Sequence, residues 1–196
     1  MDNSTFILYE QFIRVVTERL DEYFKNQSEY LCCKEGCSLC CSTGMYPCTK
    51  LELDYLYIGF LGLLKETQDK IMANISKIKE EKSNSGEKKF LHTCPFLIDN
   101  RCSVYNHRML VCRTFGLIYQ DENGSMNMPF CIDNGLNYSL VYDREQNKIL
   151  AEKVKTLGYK NDPVAYNLNF YQLRKKVGEE MLNLDFGEEK ALIDWL

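Results

Sequence analysis

The ten cysteines of this chain, gathered in two stretches, restrict its fold more than any other feature of the sequence. Six lie between Cys32 and Cys48 and four between Cys94 and Cys131, with none elsewhere. They make up about 5% of the 196 residues, below the roughly 8–10% of a short disulfide scaffold. In a reducing compartment, clustered thiols more often bind metals or carry out redox chemistry than form structural disulfides. We therefore expect a metal or redox centre built from these two stretches.

A length of 196 residues suits one domain or two small ones, and we expect a single domain over residues 1–196. A chain with 45% hydrophobic residues can bury a core without relying on crosslinks. The formal net charge of -4 argues against a protein built to bind nucleic acid. No uninterrupted apolar run approaches the roughly 20 residues that a membrane span needs, and the N-terminus lacks the basic region of a signal peptide. We expect a cytoplasmic protein with neither nucleic acid nor membrane as a partner.

Hydrophobic periodicity predicts a mainly α fold. Residues 6–24 carry apolar side chains every four positions, which is typical of an amphipathic helix. Thr49 and Glu52 have the spacing of a capping box, which predicts the start of a second helix. Gly59 and Gly62 weaken that helix, so we expect a break near residue 62.

A short β-hairpin is predicted inside the second cysteine stretch. Residues 114–119 and 126–130 have strand-like composition on either side of a turn at 121–124. The expected architecture is a helical domain around an irregular cysteine-rich metal-binding centre at 33–131, with this hairpin as its small β element.

The C-terminal part, residues 140–196, is predicted to be helical again. An apolar stripe ends at Gly158, and Asp162-Pro163 favours the start of another helix, with Asp at the cap and Pro in the first turn. Residues 188–195 favour a last short helix. We expect an N-terminal helical layer and a C-terminal pair of long helices to pack on either side of the metal-binding centre.

The first cysteine stretch places several thiols within one loop. They are spaced two and three residues apart, so the backbone can turn while several sulfurs converge on one centre. That spacing suits tetrahedral zinc or the corners of an iron–sulfur cube. The second stretch adds four more soft ligands. The candidate metal ligands are Cys33, Cys37, Cys40, Cys41, Cys94, Cys102, Cys112 and Cys131.

The combined motifs resemble a known family. The pattern C-x3-C-x2-CC, followed by CPFL, C-x-V-Y and R-x3-CR, is similar to that of the CxxCxxCC (YkgJ-type) family. Members of that family are described as zinc- or iron-chelating proteins or as iron–sulfur-cluster proteins. The resemblance covers about residues 33–131 and implies zinc or iron on the eight candidate ligands. The chain departs from the family in its wider first gap, in Ser38 where many relatives have glycine, and in Met109 where relatives usually have proline.

Spacing leaves the number and grouping of metals open. Adjacent Cys40 and Cys41 are not expected to bind the same metal, since successive side chains point apart. Eight thiols allow two zinc sites of four thiolates each, one binuclear site, or one iron–sulfur cube with spare cysteines. Cys32 and Cys48 lie outside the pattern and are expected as free, buried, small apolar residues.

Cations beside the thiols are expected to compensate the charge of a metal centre. Four thiolates around a divalent metal leave a net charge of about -2, which N–H groups donating to sulfur would also stabilise. Ordinary surface charges are the alternative. His92 and His107 are expected in structural or solvent-facing positions more than as ligands. The basic candidates for charge compensation are Lys34, Arg101, Arg108 and Arg113.

Three functional hypotheses follow, and the sequence assigns no catalytic residue in any of them. The first is a metal-binding protein whose metal ties residues 33–131 together. The second is an iron–sulfur enzyme or electron carrier, since flagellin lysine methylases have a similar cysteine cluster. The third is an adaptor that binds a protein partner through its C-terminal helices. Cys33, Cys37 and Cys40 also have the spacing of a radical-SAM motif, but 196 residues with few strand signals cannot build the required barrel.

Overall fold

A computed structural model describes residues 3–34, 36–86, 89–121 and 123–196. It confirms the mainly α class, with 52% of the structure helical and 12% in strands. No helix within these ranges is long and apolar enough to cross a membrane. A π-helical segment, Arg174–Met181, continues the seventh helix, and 3₁₀ turns span Ser28–Tyr30, Tyr105–His107 and Phe130–Asn134. The α-helices are α1 (Asn3–Asn26), α2 (Leu39–Ser42), α3 (Lys50–Leu61), α4 (Lys65–Ser85), α5 (Leu110–Thr114), α6 (Ala151–Thr156), α7 (Phe170–Leu173) and α8 (Leu192–Trp195).

The strands are only two or three residues long, and they pair with one another in the segments that connect the helices. They are β1 (Pro47–Thr49), β2 (Leu97–Ile98), β3 (Arg101–Cys102), β4 (Tyr119–Gln120), β5 (Met126–Asn127), β6 (Tyr142–Asp143), β7 (Lys148–Ile149), β8 (Tyr166–Asn167) and β9 (Glu189–Ala191). Antiparallel pairs join β1 with β9, β2 with β3, and β6 with β7. β4 lies between antiparallel β5 and parallel β8. None of these small sheets forms a layer of its own.

The helix predicted over 6–24 forms the N-terminal layer as α1. Its apolar stripe buries Tyr9 and Phe12 completely. The Tyr9 ring lies 5.0 Å from that of Tyr55 on α3, and the Phe12 ring lies 5.3 Å from that of Phe186. Edge-to-face packing of this kind anchors α1 against α3 and the C-terminal segment.

The predicted capping box and the predicted helix break are both confirmed. The Thr49 side chain accepts a hydrogen bond from the Glu52 N–H, and the Glu52 carboxylate accepts one from the Thr49 N–H. α3 then ends at Leu61 with Gly62 as its C-cap. The next helix, α4, begins at Lys65.

A buried cluster beside α3 and α4 holds most of the second cysteine stretch. Its fully buried members include Tyr46, Leu192 and Cys48, and the Cys94 side chain belongs to it as well. The C-terminus closes this cluster, because the Leu192 N–H donates to the Tyr46 carbonyl at 2.8 Å and the Trp195 indole donates to the Cys48 carbonyl at 2.8 Å.

The predicted hairpin forms, but both of its strands are shorter than expected, and Phe130 belongs to the 3₁₀ turn that follows. Pairing is confined to Tyr119 opposite Asn127 and Gln120 opposite Met126. Thr114 belongs to α5 instead of the strand. At Gly116 the backbone φ of +103° ends the extended run, because only glycine adopts such a conformation without strain. Residue 122 of the predicted turn lies outside the described residues.

The predicted pair of long C-terminal helices is wrong. α6 spans only two turns, and Asp162-Pro163 begins no helix. The Gln27 side chain explains this, since its amide donates to the Asp162 carbonyl at 3.3 Å and accepts from the Val164 N–H at 3.0 Å. These tertiary bonds keep the segment extended until β8, and α7 starts only after Asn169, which caps it. The last short helix forms as α8, preceded by β9.

Candidate metal centre

The first cysteine stretch presents its thiols from a loop and one short helix. Cys33 and Cys37 are exposed on the loop before α2, which turns where the Cys37 N–H donates to the Lys34 carbonyl at 2.9 Å. Cys40 and Cys41 are half-buried on α2. A hydrogen bond between their two side chains, together with burial, raises the pKa of Cys40 far above that of a free thiol.

Backbone hydrogen bonds fasten the second cysteine stretch directly to the first. The Cys94 N–H donates to the Cys41 carbonyl at 2.7 Å. Next to it, Gly44 and His92 exchange two backbone bonds of 3.0 and 3.1 Å, and the Tyr46 hydroxyl donates to the Cys41 carbonyl at 3.0 Å. Two segments remote in the sequence are thereby held side by side.

Cys94, Cys102 and Cys112 form an inner group within the buried cluster beside α3 and α4. Burial raises the pKa of Cys94 to about 12, and repulsion from Cys102 and Cys40 adds to the effect. Burial also raises the pKa of Cys112 well above its usual value, with contributions from Cys94, Cys102 and Cys40. Cys94 resists ionisation because the cost of burying its charge outweighs the backbone hydrogen bonds that Phe96 and Leu97 donate to it.

Cys33, Cys37 and Cys131 form an outer group that lines one cavity together with Cys40. Burial raises the pKa of Cys131 to about 12, and the Cys33, Cys37 and Cys40 thiols add to it. Burial raises the pKa of Cys33 as well, opposed by a hydrogen bond from an asparagine amide. Cys40 is therefore a neighbour of both groups.

The thiols lie in one region of the fold, but they do not surround a common position as the ligands of one metal would. All ten cysteines are described, and all ten are free. Within the described ranges, no three His, Cys, Asp or Glu side chains are arranged so that they could hold a metal ion. Coordination by the eight candidate ligands stays a prediction. The structure brings together the members of the inner group, the members of the outer group and the adjacent pair on α2, of which Cys41 packs in the inner cluster and Cys40 lines the cavity.

The remaining cysteines and histidines lie in differing surroundings. Cys48 is fully buried, as expected for a free apolar residue, whereas Cys32 is exposed, so the same expectation is wrong for it. The His107 ring packs 4.7 Å from the Tyr55 ring on α3. His92 is 5% exposed, with Nδ1 2.8 Å from a backbone carbonyl and no hydrogen-bond partner for Nε2 among the described residues.

Of the four basic residues proposed to compensate thiolate charge, Arg108 has the clearest effect on a candidate ligand. Burial raises the pKa of Cys102, and a backbone hydrogen bond from Val104 and the charge of the Arg108 guanidinium oppose that rise. Arg113 is buried in the core and donates to a backbone carbonyl at 2.9 Å. Lys34 and Arg101 are exposed.

Asn137 is a contact of the thiols that sequence reasoning missed. Its amide nitrogen lies 3.3 Å from the Cys33 sulfur and donates to the Gly116 carbonyl at 2.9 Å. Its amide oxygen accepts from the Cys32 N–H at 2.8 Å. A Cβ at Gly116 would lie 2.9 Å from the Cys33 sulfur, so this close approach requires glycine. No spacing pattern marks either residue, because both reach Cys33 only through the fold.

Comparison with known proteins adds no relative to this description. No protein-family model matches the chain, and neither the curated proteins nor the solved structures include a match.

Proposed function

We propose that the chain is a cysteine-cluster protein that binds zinc or iron, with iron–sulfur clusters among the forms that the iron could take. The observation that supports this most directly is the backbone bond from Cys94 to Cys41. It joins the two cysteine stretches directly, and Cys40, next to Cys41, neighbours thiols of both the inner and the outer group. Eight thiols in one region are the donor set that soft and borderline metals prefer.

The electrostatics of the inner group are consistent with a bound cation. Cys94 and Cys112 are buried thiols whose pKa values are raised by desolvation and by the neighbouring Cys102 and Cys40 thiols. A metal ion would compensate their thiolate charge, displacing the protons they carry without it. Arg108 beside Cys102 and the Asn137 amide beside Cys33 would further stabilise sulfur-bound negative charge.

What a metal would contribute depends on its identity. Zinc would fasten the two cysteine stretches and stabilise the fold, whereas an iron–sulfur cluster would add electron transfer. An iron–sulfur enzyme is the second candidate, and the cavity that the outer thiols line favours it, because catalytic sites need access that closed structural sites lack. The adaptor hypothesis stays a prediction.

The first test is to measure metal and acid-labile sulfide per chain on protein purified without oxygen. Zinc without sulfide would identify a structural chelator, and iron with matching sulfide a cluster protein. A folded chain that binds neither metal would contradict the proposal.

Cysteine variants then test the assignment of ligands. Cys37→Ser and Cys102→Ser should each lower the metal content and the midpoint of thermal unfolding, because each removes a proposed ligand. Cys48→Ser is the matched control. It alters a fully buried cysteine outside the proposed set, so it should lower thermal stability while the metal content stays unchanged. Unaltered metal in both ligand variants would refute the assignment.

A further inference from the structure

A cavity of about 390 Å³ opens beside the outer thiols. Cys33, Cys37, Cys40 and Cys131 contribute to one part of its wall. The end of α5, the β4–β5 hairpin, the 3₁₀ turn at Phe130–Asn134 and the start of α7 contribute the rest. Its volume lies within the roughly 300–1,000 Å³ of small-molecule sites.

The remainder of the wall is apolar and carries no charge among the described residues. Its aromatic side chains include Phe115, Phe130 and Phe170, and Phe130 is 40% exposed. Two polar side chains of the wall are already engaged, since the Thr114 hydroxyl donates to a backbone carbonyl at 3.0 Å and the Asn137 amide bonds Cys33 and its neighbours. Tyr119 adds a hydroxyl group to the same wall. A charged ligand would be desolvated there without compensation.

The thiol part of the wall is held in place by the fold. The Asn137 amide and the Gly116 backbone both lie close to the Cys33 sulfur. The Leu136 N–H donates to the Cys131 carbonyl at 3.3 Å. Cys94, Cys102 and Cys112 of the inner group take no part in lining the cavity. Only the outer thiols and Cys40 can therefore meet a molecule bound in it.

We propose that this cavity binds one small, uncharged, apolar molecule and holds it against the outer thiols. The aromatic lining favours a ligand with a flat ring that can stack on it. The proposal rests on the proposed function in one respect, because the thiol wall is part of the proposed metal centre. It assigns to that centre a neighbouring site for an apolar ligand.

Fluorescence titration of the full chain with the neutral probe N-phenyl-1-naphthylamine tests the cavity. Saturable binding at one site is expected. Leu136→Arg places a charge in the wall and should weaken binding at least tenfold. Leu64→Arg is the matched control, since Leu64 is 80% exposed at the start of α4 and takes no part in the cavity, so it should leave binding unchanged. If Leu136→Arg fails to fold, Phe130→Arg at the more exposed part of the wall replaces it.

Metal content measured on the same samples separates the two proposals. Metal-loaded protein without saturable probe binding would overturn the ligand proposal and leave the metal centre standing. Saturable binding in protein that takes up no metal would support the cavity and refute the metal centre. Equal weakening by the wall variant and the control, or weakening by neither, would show that the probe binds elsewhere and would overturn the assignment.

Discussion

At the scale of single residues, Asn137 connects the thiols to the rest of the fold. It is 2% exposed and adopts a left-handed φ of +26°, a region that asparagine tolerates better than most residues. Through one amide it contacts the Cys32 backbone, the Cys33 sulfur and the Gly116 carbonyl. One amide hydrogen points to the Cys33 sulfur and the other to the Gly116 carbonyl. An oxygen in place of the amide nitrogen would therefore leave both acceptors without a donor.

Asn137→Asp should lower the free energy of unfolding by about 2–3 kcal/mol, because a carboxylate there buries charge and cannot donate to sulfur or carbonyl. The matched control is Asn147→Asp. Asn147 is exposed and also left-handed, with φ of +47°, but its amide oxygen only accepts, from the Tyr142 hydroxyl at 2.7 Å. Urea unfolding of both variants measures the difference. Equal losses of unfolding free energy in the two variants would show that the amide hydrogens of Asn137 contribute nothing to stability.

At the scale of elements, Glu52 joins the start of α3 to the start of α5, which carries Cys112. Its carboxylate is 3% exposed. One oxygen accepts from the Thr49 N–H at 2.9 Å, and the other accepts from the Leu110 N–H at 2.8 Å. The capping box therefore does more than begin a helix, because it fixes where the Cys112 helix starts.

Glu52→Gln should destabilise the chain by about 1–3 kcal/mol, since the amide nitrogen must face one of two buried backbone donors. The Arg174 guanidinium lies 3.9 Å from the Glu52 carboxylate. When the substitution removes that negative charge, Glu189 is the acidic partner that Arg174 keeps among the ion pairs described. Glu66→Gln is the control at an exposed position of α4, where the carboxylate pairs with Lys70 among the residues that the structure describes, and it should leave stability unchanged. Denaturant unfolding compares the two, and similar losses would argue against the link between helices.

Elements were predictable from the sequence where their determinants are local. The stripe of α1 and the capping box at Thr49 depend on residues within a few positions, and both form as predicted. Asp162-Pro163 has an equally strong local signal and fails, because Gln27 from another part of the chain binds that backbone. The hydrogen bond between Cys94 and Cys41 depends on tertiary contacts of the same kind. Spacing along the sequence could therefore suggest which cysteines are candidate ligands, but it could not predict how the fold groups them.

At the scale of the whole molecule, the C-terminal segment closes the core around the inner thiols although it contains no cysteine. β9 pairs with β1 over Pro47–Thr49. Leu192 is fully buried in the same cluster as Cys94, and Trp195 donates to the Cys48 carbonyl. The protection of the inner thiols should therefore depend on residues far from them in the sequence.

Leu192→Ala should cost about 3 kcal/mol, because it removes a large side chain from a fully packed site. In metal-free protein, alkylation of Cys94 and Cys112 should accelerate about 100-fold, since 1.4 kcal/mol changes the population of the open state about tenfold. Alkylation of exposed Cys37 should keep its rate, because its thiol needs no opening of the core. Mass spectrometry of peptides after timed alkylation reads all three rates in one sample.

Leu140→Ala is the matched control for this experiment, because Leu140 is 63% exposed and its truncation should leave the alkylation rates unchanged. If Leu192→Ala lowers stability while Cys94 and Cys112 stay protected, the C-terminal segment opens separately from the thiol core. In that case the inner group is held by the bonds between the two cysteine stretches alone. Acceleration of both cysteines together would instead make the C-terminus and the thiol core one cooperative unit, which opens as a whole when the packing of Leu192 is lost.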